Sequence, residues 1–421
     1  MHKLDIKVTK KPAKIAAGKP AKVAASVPLR DDGESIALME PMLVSEDSPA
    51  RGRISELAFE LSKASAAFRA SLPLGLTAPL ADLVRSMNCY YSNLIEGHNT
   101  HPVDIEKAIH NDLSHDPKKR DLQLEAKAHI AVQRWIDEGH LDGRELTTQG
   151  LVEIHRQFTS LLPEDLQWVE DPASGKRVRV IPGEHRKNDT KVGLHIAISP
   201  GAIPRFMARF EEVYGKLGKF ERVLAAGPMH HRLLWIHPFA DGNGRVTRLM
   251  SYAVLRSALD TGGLWSISRG LARKVEDYKS HLATCDFKRR NDFDGRGHLS
   301  QEAMSAFTEF FLRVCLDQVS FMEGLMQPKA LRERIVRWAE DEIGYGHVPA
   351  QAPRVLDAIL FKGSLPRGEV AAVIGQSERS ARNATTALSK EGIIFSPGPR
   401  DDWQIAFPAK LAPRLMPGLF P

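Results

Sequence analysis

The organisation of the chain centres on one stretch, His237-Pro238-Phe239-Ala240-Asp241-Gly242-Asn243-Gly244-Arg245-Val246-Thr247-Arg248. It places a titratable base, a carboxylate, two glycines and two arginines within twelve consecutive positions. The flanking segments 225–236 and 249–259 are apolar with helical spacing. The pattern therefore predicts a tight loop that leads into a buried helix.

The residue types in this loop are those that bind phosphate groups. Glycines let backbone N–H groups point inward, and a helix N-terminus adds positive partial charge, so the two together form a cradle for an anion. Arg245 and Arg248 occupy neighbouring positions of the following helix and can hold outer phosphates. Asp241 suits Mg²⁺, and His237 can take a proton near neutral pH. Each feature alone is typical of an ordinary turn or a solvated surface, but their combination predicts a phosphate-handling site.

The stretch matches every specified position of HxFx(D/E)GNGRxxR, and the chain thereby resembles the Fic (filamentation induced by cAMP) family. The resemblance implies transfer of AMP from ATP, with Mg²⁺, to a Tyr, Thr or Ser hydroxyl of a target protein. It implies that His237 is the general base, that Asp241 is the Mg²⁺ ligand, and that Arg245 and Arg248 bind the β- and γ-phosphates. The implied anion hole consists of Gly242, Asn243 and Gly244.

A second segment, Ser92-Asn93-Leu94-Ile95-Glu96-Gly97, resembles the inhibitory motif (S/T)xxxE(G/N) of the same family. The resemblance implies that the Glu96 carboxylate pairs with Arg248 and occupies the place of the γ-phosphate, while Ser92 helps to hold Glu96. Gly97 is a normal helix stop. The alternative interpretation is an ordinary helix C-terminus.

Residues 165–200 differ in character from the helical segments around them. Val/Ile alternation around a Pro-Ala-Ser-Gly turn predicts a β-hairpin, followed by an irregular basic stretch. In the family that the chain resembles, this region is a flap that pairs with an extended segment of the target. The stretch Val192-Gly193-Leu194-His195 resembles the family's VGxH flap sequence, which borders the nucleotide. A charged surface loop is the alternative.

Tyr278 is the remaining candidate nucleotide contact. It stands where relatives have an aromatic pair near the adenine, and Lys279 departs from that pair. The resemblance implies that Tyr278 stacks on the base or donates a hydrogen bond to it. A core or surface tyrosine is the alternative.

The fold class expected from these patterns is mainly α. It combines a Fic-type helical bundle and its β-hairpin flap with a C-terminal winged helix-turn-helix domain. Helical periodicity is found at 54–70, 81–97, 122–135, 150–162, 203–217, 221–236, 245–259, 271–284 and 301–326. The expected domains are a disordered basic tail at 1–35, a Fic domain with its inhibitory helix at 36–327, and a linker helix with the winged helix at 328–421.

The C-terminal segment carries the winged-helix pattern. Short helices are predicted at 354–361, 368–374 and 378–390, followed by two strands around a Pro-Gly-Pro-Arg-Asp-Asp turn. In DNA-binding versions the third helix enters the major groove, where Arg379, Arg382 and Asn383 would meet DNA. Because this helix is only modestly basic, the pattern slightly favours protein contact or a structural role.

Composition excludes several other classes of protein. The 421 residues carry a net charge of +6, which is compatible with nucleotide or nucleic-acid partners. The dispersed Cys89, Cys285 and Cys315 are expected to be buried thiols in a reducing compartment. His230 and His231 are interpreted as structural. We find no apolar run near the roughly 20 residues of a membrane span and no signal-peptide core, so a cytoplasmic protein without membrane contact is expected.

The sequence therefore predicts a protein adenylyltransferase, a nucleotidyltransferase autoinhibited by Glu96. Two alternatives stay open, namely removal of AMP with Glu96 positioning a water, and transcription regulation by a nucleotide-sensing domain. The expected partners are ATP and a hydroxyl-bearing protein target, which includes the chain itself. The winged helix adds DNA or a protein as a partner. Homodimers occur among relatives, but the sequence carries no independent sign of one.

Overall fold

The computed structural model describes residues 28–170 and 175–420 and is mainly helical, as predicted. Within these described ranges, six short strands form three antiparallel pairs, β1 with β2, β3 with β4 and β5 with β6. The strands are β1 Trp168–Glu170, β2 Arg177–Arg179, β3 Lys191–Val192, β4 His195–Ile196, β5 Ile394–Phe395 and β6 Gln404–Ile405. The helices are α1 Arg51–Ala70, α2 Leu74–Ile95, α3 Pro102–Ile109, α4 Pro117–Asp137, α5 Thr148–Ser160, α6 Ile203–Tyr214, α7 Lys219–Leu224, α8 Ala226–Ile236, α9 Asn243–Leu259, α10 Ser268–Arg273, α11 Val275–Cys285, α12 Gln301–Met326, α13 Pro328–Gly344, α14 Ala352–Lys362, α15 Val370–Ile374, α16 Glu378–Lys390 and α17 Ala412–Leu415.

Helices α8 and α9 form the centre of the N-terminal bundle. Both are buried over most of their length, including polar positions, because other helices pack on all sides of them. The long helix α12 packs against α1 and α8, and α5 and α7 pack against α9. The loop between α8 and α9 is therefore held at both ends by core helices.

Three predicted helices have other bounds in the structure, and the one predicted at 271–284 is divided at Lys274 into α10 and α11. Helix α2 begins at Leu74 rather than near residue 81, with Pro79 inside it, because burial of Leu76 and Leu80 offsets the hydrogen bond that Pro79 cannot make. The single helix predicted at 221–236 is two helices divided at Ala225. Pro228 has no N–H to donate to the residue four positions earlier, which interrupts the helical ladder there.

The sequence predicts a disordered tail at residues 1–35, and residues 1–27 of it lie outside the described part of the chain. For residues 28–35 the prediction of disorder was wrong. The Glu34 carboxylate accepts hydrogen bonds from the backbone N–H of Ser199 at 2.6 Å and from its hydroxyl at 2.7 Å. Asp31 forms an ion pair with Arg205. The acidic residues at 31–34 therefore fasten this segment to the start of α6.

The C-terminal unit, residues 350–420, has the predicted elements in the predicted order. Helix α16 spans the predicted residues 378–390, and the Ser377 hydroxyl caps it by accepting from the Ser380 N–H at 3.3 Å. Strands β5 and β6 are paired, and a further bridge joins Leu365 to Trp403. This arrangement is consistent with a winged helix-turn-helix.

The C-terminal unit packs directly on helix α2. The backbones of Gly75 and Gly363 approach so closely that a Cβ added to Gly75 would lie 2.3 Å from the Gly363 Cα. The Tyr91 hydroxyl donates to the Leu419 carbonyl at 2.9 Å, and the Arg269 guanidinium donates to the Gly418 carbonyl at 2.9 Å. The same helix thus touches the C-terminal unit and carries Glu96 at its end.

All three cysteines are buried and unpaired, as predicted. Within residues 28–170 and 175–420, we find no helix with the length and apolar character needed to span a bilayer.

We expect Gly75→Ala to destabilise the fold by roughly 1–3 kcal/mol, because the new methyl group overlaps the Gly363 backbone, which cannot move aside as a side chain could. The matched control is Gly324→Ala on α12, where a Cβ meets nothing within 4 Å. Urea unfolding should show the control to be neutral or slightly stabilised. Equal stability of the two variants would contradict this packing.

Candidate active site

A cavity of about 820 Å³ lies between the end of α2, the β3–β4 hairpin, the end of α8, the start of α9 and helix α11. Nine of the predicted site residues line it, which are Glu96, Val192, Gly193, Leu194, His195, His237, Gly244, Arg248 and Tyr278. Six others do not lie on its wall, namely Ser92, Gly97, Asp241, Gly242, Asn243 and Arg245. The predicted base, one glycine of the cradle, the outer arginine and the inhibitory carboxylate therefore face one space.

His237 ends helix α8 in a left-handed conformation, with φ 50° and ψ 60°. This conformation costs a non-glycine residue roughly 1–2 kcal/mol. Arg186 holds it in place, since its Nε donates to the His237 carbonyl at 2.8 Å and its backbone N–H donates to the Pro238 carbonyl at 2.9 Å. The same buried guanidinium donates to the carbonyls of Asn188 at 2.8 Å and Ile198 at 2.5 Å. Arg186 thus ties the His237 loop to both ends of the segment that contains β3 and β4.

The His237 imidazole is neutral at physiological pH. Burial lowers its pKa to about 4, and the positive charge of Arg186 adds to this effect. A hydrogen bond to the Leu234 backbone acts in the opposite direction. The neutral ring can accept a proton, as the predicted role requires.

The loop after His237 is closed by its own side chains. Phe239 is fully buried and stacks on His155, with ring centroids 4.0 Å apart and planes 2° from parallel. The Asn243 side chain accepts from the Phe239 N–H at 3.0 Å and donates to the Phe239 carbonyl at 2.8 Å. The Asn243 amide group is therefore used within the loop, and its backbone N–H is the group left for the expected anion hole.

The N-terminus of α9 opens towards the cavity at Gly244. Gly242 precedes the helix at φ 79°, a conformation that favours glycine, and its carbonyl accepts the first helical bond from Val246 at 2.9 Å. In the part of the chain that the structure describes, the N–H groups of residues 243–245 have no acceptor. Such an end is a ready anion site.

Glu96 occupies this site from the end of α2. Gly97, at φ 87°, ends the helix, and its N–H donates to the Leu94 carbonyl while that of His98 donates to the Asn93 carbonyl. Arg248 then donates from Nη2 to Glu96 Oε1 at 2.5 Å. The predicted ion pair is present, and the helix stop at Gly97 is confirmed.

Ser92 has a different role from the predicted one. Its hydroxyl accepts from Arg248 Nε at 2.9 Å and its carbonyl accepts from Arg248 Nη2 at 3.2 Å. Ser92 therefore orients the arginine rather than the carboxylate. The Arg248 side chain thus donates three hydrogen bonds, two to Ser92 and one to Glu96.

The Glu96 carboxylate also rests on the start of α9. A Cβ added to Gly244 would lie 2.3 Å from Glu96 Oε1. Burial alone would raise the pKa of Glu96, but the charge and hydrogen bond of Arg248 outweigh it and hold the pKa below its ordinary value. The group is thus an anion at neutral pH, at a helix N-terminus and beside an arginine, where a phosphate group would be stabilised.

Arg245 points away from the cavity, contrary to its predicted role. Its side chain is buried and forms ion pairs with Glu125 at 3.2 Å and Asp241 at 3.2 Å. Its guanidinium carbon lies 4.8 Å from the centroid of the Phe158 ring. In this arrangement Arg245 anchors α9 to α4 and α5, and Arg248 is the arginine of the pair that reaches the cavity.

Asp241 carries the candidate metal-binding carboxylate, which in this arrangement pairs with Arg245. Its carboxylate is about half exposed, and no group of three His, Cys, Asp or Glu side chains in the described residues could hold a metal ion. Mg²⁺ is commonly held by one or two carboxylates plus substrate phosphates. A single carboxylate beside a phosphate cradle fits that donor set.

The residues 165–200 contain two hairpins rather than one. The predicted hairpin is β1–β2, with its turn outside the described residues, but the strands that line the cavity are β3 and β4. Leu194 at their turn is 88% exposed. Val192–His195 thus lies beside the cavity, as the resemblance implied.

Tyr278 presents an oriented hydroxyl group to the site. The Ser251 hydroxyl donates to the Thr247 carbonyl at 2.9 Å and lies 2.8 Å from His230 Nδ1, so its oxygen accepts a hydrogen bond from the Nδ1–H group. His230 Nε2, 2.7 Å from the Tyr278 hydroxyl, must then accept from it. The Tyr278 oxygen remains free to accept a hydrogen bond from Arg248.

The profile of the Fic/DOC family matches residues 145–255, which contain His237 and the start of α9. These residues are therefore similar to a Fic/DOC domain.

Curated relatives carry the same domain. "Protein adenylyltransferase Fic" of Drosophila erecta is 29% identical over 171 residues, which are 40% of this chain and 32% of that protein. The protein of the same name from Drosophila virilis is 28% identical over the same shares. The matched region thus spans about a third of the length of these relatives.

Among solved structures, a Fic family protein from Desulfovibrio desulfuricans G20 superposes with a TM-score of 0.49 at 18% identity, covering 86% of this chain and 98% of that chain.

Several residues of the Fic site could not be found from the sequence. Arg186 is one of many basic residues in its segment and has no motif of its own. His231 and Asp286 line the cavity, although His231 was interpreted as structural. Arg232 donates to His231 Nδ1 at 2.6 Å, so His231 Nε2 donates to the Asp286 carboxylate at 2.9 Å. The structural interpretation holds for the fully buried His230.

We expect Arg186→Met to lower the free energy of unfolding by about 3 kcal/mol, because it leaves the carbonyls of His237 and Ile198 without donors. Arg156→Met is the control, since Arg156 is exposed and pairs only with Glu153 on its own helix. Its effect should stay within about 0.5 kcal/mol. Chemical denaturation of both variants tests this, and equal losses would contradict the role given to Arg186.

Proposed function

We propose that this protein transfers AMP from ATP to a Tyr, Thr or Ser hydroxyl of a protein, and that Glu96 holds the enzyme inactive. The observation that carries the proposal is the 2.5 Å contact between Glu96 Oε1 and Arg248 Nη2, in a cavity whose wall also contains His237 and Gly244. The names of the curated relatives support the reaction class.

In the proposed reaction the target hydroxyl attacks the α-phosphorus of ATP. A new P–O bond forms, the bond to the β-phosphate oxygen breaks, and pyrophosphate leaves. The neutral His237 imidazole takes the hydroxyl proton. The free N–H groups at the start of α9 and the Arg248 guanidinium stabilise the charge on the phosphates, which is the main source of catalysis in such transfers. Asp241 would hold Mg²⁺, which would neutralise phosphate charge.

In this proposal, inhibition arises because the Glu96 carboxylate and a phosphate of the nucleotide compete for the Arg248 guanidinium. The Glu96 carboxylate uses Arg248 and the space over Gly244, so a terminal phosphate must displace it to bind there. Two anions cannot share this site without strong repulsion at short range. Nucleotide then binds weakly, or in a position in which the α-phosphorus is not aligned with the target hydroxyl.

We expect Glu96→Gly to raise self-labelling by ATP carrying radioactive α-phosphate at least about tenfold, equivalent to about 1.4 kcal/mol. Glu138→Gly is the matched control, because Glu138 also follows a helix and precedes a left-handed glycine, Gly139. It does not touch the cavity. Mass spectrometry of the labelled protein should show an added AMP.

His237→Ala placed in the Glu96→Gly background should abolish the labelling. Equal labelling with and without His237 would refute the proposed base. Equal labelling of wild type, Glu96→Gly and Glu138→Gly would refute the inhibitory role while leaving the reaction itself standing.

The pH dependence of the Glu96→Gly variant tests the state of His237. Because the pKa of His237 is lowered to about 4, the ring stays neutral as the pH falls from 8 to about 5.5. We therefore expect no loss of initial rate centred on the ordinary histidine value of about 6.5. A tenfold fall per unit below that value would show that His237 is exposed to solvent in the active enzyme.

Removal of AMP is a second candidate reaction, favoured by the position of Glu96 on the same wall as His237. There Glu96 would orient a water against the modified hydroxyl. AMP-modified protein prepared with the Glu96→Gly variant, then incubated with wild type, should lose its label if this reaction occurs. Retention of the label would exclude it for that substrate.

A further inference from the structure

Helix α16 has one face in the core of the C-terminal unit and one face in solvent. Its buried residues are Ala381, Ala384, Thr385 and Leu388. The outward face is polar and contains no large apolar side chain, and its exposed residues are Glu378, Arg379, Arg382, Asn383, Thr386, Ser389 and Lys390. Their spacing of three and four residues places them in one stripe along the helix.

Cations elsewhere in the C-terminal unit are engaged within the protein. Lys362 pairs with Glu369 at 2.6 Å and Lys410 with Glu391 at 3.3 Å. Arg414 pairs with Asp341. Arg354 and Arg367 donate to backbone carbonyls of Ile374 and Asp401.

The remaining four cations of residues 350–420 have no ion pair or side-chain hydrogen bond within the described chain. They are Arg379, Arg382 and Lys390 on α16 and Arg400 in the turn between β5 and β6. Unpaired cations are thus collected on one helix face and the adjoining wing, and they are not spread over the unit.

The attachment of the unit to the rest of the protein leaves this face open. Contact with α2 is made by Gly363, by β6 and by Leu419, and Gly418 accepts a hydrogen bond from Arg269 of α10. The exposed stripe of α16 takes no part in it. A purely structural role therefore does not account for the four unpaired cations.

We propose that the outward face of α16 and the β5–β6 turn bind double-stranded DNA, with α16 in the major groove. A single helix fits that groove, and its side chains can neutralise backbone phosphates on either side. The lack of exposed large apolar side chains on the stripe argues against a hydrophobic protein partner. Arg379, Arg382 and Asn383 lie towards the helix N-terminus, the end that contacts base edges in such motifs. There Asn383 can pair with adenine, while Arg379 and Arg382 neutralise the phosphates that flank the groove.

The test is fluorescence anisotropy of the full chain with a labelled pool of random duplexes of about 30 base pairs, across a salt series. Four phosphate contacts predict an affinity loss of about 150-fold between about 50 and about 200 mM salt. The variant Arg379→Ala/Arg382→Ala/Lys390→Ala keeps only Arg400, so its loss over the same range should be about threefold. It should also bind at least about tenfold more weakly at the lower salt concentration.

The matched control is Lys362→Ala/Lys410→Ala/Arg414→Ala, which removes the same charge from paired, exposed positions of the same unit. It should keep the wild-type salt dependence. Asn383→Ala should keep it too, while changing the sequences recovered by selection from the random pool. AMP labelling by these variants reports separately on the proposed enzyme activity.

Three results would overturn the proposal. They are no binding of the wild type to duplex at low salt, equal losses in the two triple variants, and tighter binding to single-stranded RNA of the same length than to duplex.

Discussion

The guanidinium of Arg248 is the group on which the organisation of this site depends. It is buried at the start of a core helix, where an unpaired charge would be costly, so it must be satisfied from within the chain or by a ligand. Ser92 satisfies it from one side permanently, through a hydroxyl and a carbonyl. Glu96 satisfies it from the other side with a side chain that is 36% exposed and can rotate. The arginine therefore stays oriented when the carboxylate leaves, and its exchangeable partner is an anion.

A second constraint is the strained backbone of His237, which lines the same cavity as Arg248. His237 is left-handed, and a chain free to relax would leave that conformation. Arg186 prevents this by binding the His237 carbonyl, and Phe239 and Asn243 close the loop on the other side. Because Arg186 also binds Ile198, the position of the imidazole is coupled to the segment that carries the β3–β4 hairpin. The geometry of the candidate site is thus set by backbone carbonyls as much as by side chains.

Local sequence signals predicted the features that depend on neighbouring residues in the chain, such as helix bounds and caps. The bounds of α16, its Ser377 cap and the helix stop at Gly97 follow from periodicity and capping, and the structure confirms them. Resemblance to a short inhibitory motif, found upstream of the long loop motif, predicted the approach of Glu96 to Arg248, although 152 residues separate them. The direction of Arg245 could not be predicted, because it is decided by Glu125 on α4 and Phe158 on α5, which are distant in sequence. Arg186 was missed for another reason, since the three acceptors of its guanidinium are backbone carbonyls that carry no sequence information.

Helix α2 connects the C-terminal unit to the ion pair between Glu96 and Arg248. It spans Leu74–Ile95, roughly 33 Å of stiff helix, with Gly75 against Gly363 at one end and Glu96 at the other. Between them the Tyr91 hydroxyl binds the Leu419 carbonyl, one residue before Ser92 binds Arg248. Moving the helix as a body would break all of these contacts together. Rotation of the Glu96 side chain breaks only one, so a nucleotide that takes Arg248 meets its least resistance from the carboxylate alone, with α2 and the C-terminal unit left in place.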